Sequence, residues 1–169
     1  MRPTTLAKTL LLAAFAAPAI AQPAPPPPRA KGPALDLAVE AAQIAVATCL
    51  ANGYRTTALV ADSAGVPVAM LSADGASERT QAIAAGKVAT VIRYKVPSGT
   101  IADRIKTEPA LAEEVKADAK INGFAWRGAL PLMAGGEQIG VIAVSGAPGG
   151  EKDEACAEPA IAKIAGRLK

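Results

Sequence analysis

Histidine is absent from the 169 residues, cysteine occurs twice, and aromatic side chains make up only 3%. Without histidine there is no imidazole to hold a metal, to act as a general base or to complete a Ser-His-Asp triad. Two cysteines are too few for a four-thiolate metal site or an iron–sulfur cluster within one chain. No carboxylate pair, nucleophile–base pair or metal cluster converges at a recognisable spacing, which leans away from an enzyme. What the chain has is a 51% hydrophobic composition with 20% charged residues, enough for one domain and short for two.

Residues 1–21 read as a secretory signal. Arg2 and Lys8 make a positive start, Leu10 to Ala17 an apolar run, and Ala19-Ile20-Ala21 a small-x-small cleavage site. The run is much shorter than the ~20 residues of a membrane span. No span is therefore expected after cleavage, and the mature chain is expected in the periplasm or secreted. The full chain has 18 basic and 15 acidic residues, a net of +3. Removing Arg2 and Lys8 leaves 16 against 15, so the basic balance is largely the targeting signal. No Lys/Arg cluster remains to follow a phosphate backbone, and nucleic acid is excluded as a partner. Residues 22–33 (QPAPPPPRAKGP) read as a solvated, proline-rich tether, leaving 34–169 as the globular domain.

The domain reads as an α+β unit on an antiparallel sheet. Asp36 is expected to cap a helix over 37–51 that Asn52-Gly53 ends. Arg55–Ala61 and Val66–Leu71, joined by Asp62-Ser63-Ala64-Gly65, predict a hairpin. A helix follows over 78–94, stopped by Pro97, with Ser98 as the expected cap of another near 99–106. Thr107 is expected to cap a helical stretch reaching Lys120. Phe124–Trp126 and Leu130–Met133 read as short strands, and Glu137–Ser145 as a stronger one after the turn Ala134-Gly135-Gly136. A closing helix covers 151–168. Asp74-Gly75-Ala76 reads either as a loop whose N–H groups meet an anionic ligand or as an ordinary connector. Ser145-Gly146 lines the same cleft or merely ends its strand.

VADSAGVPVAMLSADGAS, AGKVAT, RGALPLMAGGEQIGVIAVSGAPGG and DEACAEPA, in that order, resemble the GlcG/HbpS-like haem-binding family. That domain also forms the C-terminal part of some PduO-type corrinoid proteins. The resemblance spans roughly Leu35 to Ala165. It departs from the family pattern at Gly128-Ala129-Leu130-Pro131 and at Ala84-Ala85-Gly86-Lys87-Val88. It implies a profilin-like fold, with a five- or six-stranded antiparallel sheet flanked by helices, assembled as a homo-oligomer.

As function, the resemblance implies an exported module that binds haem, a related tetrapyrrole or a small organic acid. A membrane sensor or an oxidoreductase is the expected partner. The alternative is a haem-degrading or corrinoid-linked enzyme.

Lys87 matches the family's lysine. It either meets a carboxylate or haem propionate, or snorkels into solvent. Candidate iron ligands are Tyr54, Tyr94, Met70, Met133, the cysteines, Ser98 and Thr100. The resemblance points to Ser98, after Pro97, as an axial ligand, whereas the residues alone explain it as a cap. Tyr94 stacks, ligates or sits half-buried in the core. An exported protein with an even cysteine count suggests a disulfide. In the implied fold, the first and last helices bring Cys49 and Cys156 together; two isolated thiols are the alternative.

Overall fold

The computed structural model describes residues 30–169. The export segment and residues 22–29 of the tether lie outside the described residues. At the end of the tether Ala30 and Lys31 are exposed, but Pro33 is buried, and Ser63 N–H donates to Lys31 O at 2.7 Å. Gly140 makes this docking possible, because a Cβ there would lie 3.2 Å from Pro33 Cδ and against Ala61 O.

Among the described residues, five α-helices and a four-stranded antiparallel sheet run in the order α1 (Leu35–Ala51), β1 (Thr57–Asp62), β2 (Pro67–Ser72), α2 (Arg79–Tyr94), α3 (Ser98–Arg104), α4 (Pro109–Ala117), β3 (Ala129–Ala134), β4 (Glu137–Ser145) and α5 (Gly150–Ile164). The sheet order is β2-β1-β4-β3, and the two most buried strands lie in the centre. Four strands replace the expected five or six. Phe124–Trp126 is not a strand; its segment instead packs onto α2, where a Cβ at Gly86 would strike Ile121 O and Phe124 Cβ.

Alternation along the central strands builds two cores. Ala58, Val60, Ile142 and Val144 face α1 and α5, while Leu59, Ala61, Val141 and Ala143 face α2. The alanine stripe Ala38, Ala41, Ala42 and Ala45 brings α1 close to the sheet, and Cys49 lies one turn further on. Cys49 and Cys156 form a disulfide between α1 and α5, with Cα atoms 5.4 Å apart. A third cluster, Ile101, Leu111, Val115 and Ile121, holds α3 and α4 beside the layers.

The hairpin turns carry their own explanation. Asp62 Oδ1 accepts from Ala64 N–H and Val66 N–H, both at 2.9 Å, and fixes the β1–β2 turn. Gly135 and Gly136, both at positive φ, make the tight β3–β4 turn. Pro131 is tolerated because β3 is an edge strand.

Three expected caps are not made. The α1 N-cap is Ala34, and Asp36 instead sits in the first turn, facing the helix dipole. Pro97 occupies the N-cap of α3 in place of Ser98, and Glu108 that of α4 in place of Thr107.

Candidate functional site

Thr80, Ile83 and Lys87 share one face of α2, at the i, i+3 and i+7 spacing, and form one wall of a cleft of about 370 Å³. Ser145 at the end of β4, the glycine-rich turn into α5, and Trp126-Arg127 form the rest. Gly146 and Gly149, at φ +127° and +114°, let the chain reverse there in conformations that side chains rarely adopt.

Lys87 reaches past the end of β4 to the first turn of α5. Its Nζ donates to Val144 O at 2.8 Å and to Asp153 Oδ2 at 2.7 Å. The other Asp153 oxygen accepts from Ala147 N–H at 3.0 Å, so one carboxylate both pairs the lysine and clasps the turn. The two side chains are only 2% and 5% exposed. Burial pulls the Lys87 ammonium below its usual range against the opposing attraction of Asp153. Burial likewise pushes the Asp153 carboxyl up, opposed by Lys87. Gly128 completes the fit: a Cβ there would overlap Lys87 Nζ and crowd Val144 O.

Arg127 forms the rim. Its guanidinium bridges Asp103 at 2.6 Å, Glu154 at 3.1 Å and Glu151 at 3.3 Å, tying α3 to α5 across the cleft. Beside it Trp126 is 45% exposed and stands edge-on to Phe124, with ring centroids 5.3 Å apart. On the opposite wall Thr80 donates to Ser77 O, and so accepts from Thr57, 2.7 Å away. Every cation among the lining residues is thus already matched by a carboxylate.

The structure distributes the expected site residues unevenly. Lys87, Ser145 and Gly146 line the cleft. The carboxylate that Lys87 meets is the chain's own, and it does not snorkel. Asp74 and Gly75 are exposed and Ala76 half-buried; none lines the cleft, and Gly75 packs near Arg55. Tyr94 lies at the far end of α2, donating to Glu114 Oε1 at 3.0 Å under the influence of Arg93.

Ser98 is fully buried. Its hydroxyl accepts from Ala129 N–H at 2.9 Å and faces Ala129 O at 3.3 Å, so it pins α3 to β3. The sequence reading missed Asp153, Trp126 and Arg127. Asp153 shows in the sequence only as an acid in the first turn of a helix, Trp126 only as the end of an apparent strand, and Arg127 only as the first residue of the family-like run 127–150.

Comparison with known proteins places these features in a family. The profile described as "Haem degrading protein HbpS-like" matches residues 34–162. The crystal structure of HbpS is similar at 27% identity and a TM-score of 0.70, covering 86% of this chain and 99% of that one. Klebsiella pneumoniae protein ORFY shares the fold at 18% identity and a TM-score of 0.72, over 88% of this chain and 100% of that one. So does PduOC in its haem complex, at 19% identity and a TM-score of 0.70, over 79% and 95%. No curated protein matches by sequence comparison. With the family profile spanning most of its length, the chain belongs to the HbpS-like family.

Proposed function

We propose that this chain is an exported small-ligand-binding protein whose cleft takes haem or a related tetrapyrrole, or a small organic acid. The single observation that carries the reading is the HbpS-like family match over residues 34–162. The haem complex of PduOC, a protein of the same fold, supports it. The cleft has the ingredients of a planar-ligand site: the exposed face of Trp126, the apolar Ile83 and Ala147, and the rim cation Arg127.

A haem iron is less well served than the ring. Cys49 and Cys156 are bonded to each other, Ser98 is buried, Tyr94 is turned to Glu114, and Met70 and Met133 lie on the two edge strands. None of these lines the cleft, and Lys87 Nζ is held by Asp153 and Val144. The residues present therefore fit a tetrapyrrole held by its face and periphery and do not fit axial ligation from within the cleft. The disulfide supports a periplasmic or secreted location. Self-assembly, and presentation of the ligand to a membrane sensor or an oxidoreductase, complete the proposal.

Trp126 is the chain's one tryptophan, so its fluorescence reports on the cleft directly. Titration with haemin and with metal-free protoporphyrin is expected to quench it with similar affinity. Trp126→Ala, followed by the Soret band because the variant has no tryptophan to quench, is expected to weaken both by about 2 kcal/mol or more, as a central aromatic contact would. Absence of quenching by either, with no Soret shift, overturns the tetrapyrrole reading. The family's description as haem-degrading favours one other reading, an enzyme. Peroxide-dependent loss of the Soret band faster than for free haemin would establish it.

A further inference from the structure

We propose that Lys87 is a covalent capture point for small, uncharged aldehydes and ketones, which it binds as a protonated imine with Asp153 as the proton relay. The inference rests on the same cleft being the ligand site, but not on the ligand being a tetrapyrrole.

Three observations lead to it. Lys87 lines the cleft, two of its three ammonium hydrogens are engaged by Val144 O and Asp153 Oδ2, and Gly128 leaves beside Nζ the room that a side chain would fill. The partner 2.7 Å away is a buried carboxylate, the group that a lysine needs in order to shed and recover a proton. The cleft offers no unmatched charge: Arg127 is met by Asp103, Glu151 and Glu154, so an uncharged ligand enters without displacing an ion pair. Burial, which disfavours both charges of the pair, lowers the cost of passing the shared proton to Asp153.

The chemistry balances. A proton passes from Nζ to Asp153 Oδ2, and the freed lone pair attacks the carbonyl carbon. The N–C bond forms as the C=O π bond breaks, and the oxygen takes the proton from Asp153 while the nitrogen returns one to it. Asp153 then protonates the carbinolamine hydroxyl. The C–O bond breaks, water leaves, and the nitrogen lone pair closes the C=N bond. The product carries its positive charge on the same nitrogen, opposite the same carboxylate, so the ion pair survives the reaction.

The test is reductive trapping on the full mature protein with glycolaldehyde or hydroxyacetone and cyanoborohydride, followed by peptide mapping. One adduct is expected on the Lys87 peptide, saturating with carbonyl concentration and formed faster than on exposed lysines such as Lys116. Lys87→Arg keeps a cation opposite Asp153 and is expected to lose that adduct. Asp153→Asn is expected to slow it by about 10²-fold.

Labelling confined to exposed lysines overturns the proposal, as does an unchanged rate in the Asp153→Asn protein. The map of the unaltered protein decides the matter even where a variant fails to fold. Porphyrin quenching without trapping removes this proposal alone. Trapping without quenching removes the tetrapyrrole reading alone.

Discussion

Cys156 stands one helical turn beyond Asp153 on α5, so its bond to Cys49 ties the carboxylate of the cleft to α1. The bridge closes a loop of 107 positions, for which the chain-entropy account gives a stabilisation of about 4–5 kcal/mol. Reduction is expected to lower the melting temperature substantially and, in the still-folded fraction, to loosen the first turn of α5. Calorimetry with and without a thiol reductant checks this. An unchanged melting temperature after verified reduction would count against the bridge as a main support.

The buried pair itself makes a second expectation. Lys87→Met alone leaves Asp153 buried without its cation, at an expected cost of about 3–5 kcal/mol. Adding Asp153→Leu should recover much of that loss, because the desolvation penalty disappears with both charges. Urea denaturation of the two single variants and the double variant measures the coupling. Additive losses would mean that the two side chains act independently.

Gly128 has no room for change. Its φ of +128° and its contact with Lys87 Nζ and Val144 O make Gly128→Ala strained twice over. A loss of about 1–3 kcal/mol is expected from the backbone conformation alone. Displacement of Lys87 should also alter trapping at that residue. A variant as stable as the parent, with unaltered trapping, would show that the neighbours yield freely.

On the outer surface, Arg93 donates to Glu114 at 2.7 Å and also bridges to Asp118, joining α2 to the end of α4. Those bonds from Arg93, with a further one from Tyr94, hold the Glu114 carboxyl below its usual value of 4.5. Its folded-state pKa is thus lower than its unfolded one. The contribution is complete above the unfolded value and is lost as pH falls through the folded one. The protection of the α4 amides, measured as exchange relative to the unstructured chain at each pH, should fall as the pH drops below the usual carboxylate range. Arg93→Gln should flatten that dependence; an identical profile in the variant would exclude the bridge as its source.

The order of elements was legible because each is encoded locally: glycines at the turns, apolar and β-branched runs in the central strands, an alanine stripe on α1. The cysteine pairing came through the family resemblance, since a 107-residue separation leaves no local trace. The cleft was half legible. Lys87 stood out as a cation on an alanine-rich helix, but its partner lies 66 residues away and looks like any acid at a helix start. Phe124–Trp126 misled because aromatic residues favour strands, whereas Gly86 offers them a helix surface to pack against. Ser98 misled because a serine after proline suits a helix start; the demand that won was the Ala129 N–H, which the serine hydroxyl satisfies.

Pro131 has a consequence for assembly. Its ring nitrogen has no hydrogen to give, and on an edge strand that gap falls on the outer rim of β3. A neighbouring copy trying to zip its own backbone onto that rim would meet a missing donor and a pyrrolidine ring in the way. Edge-to-edge extension of the sheet into an endless ribbon is disfavoured on this side.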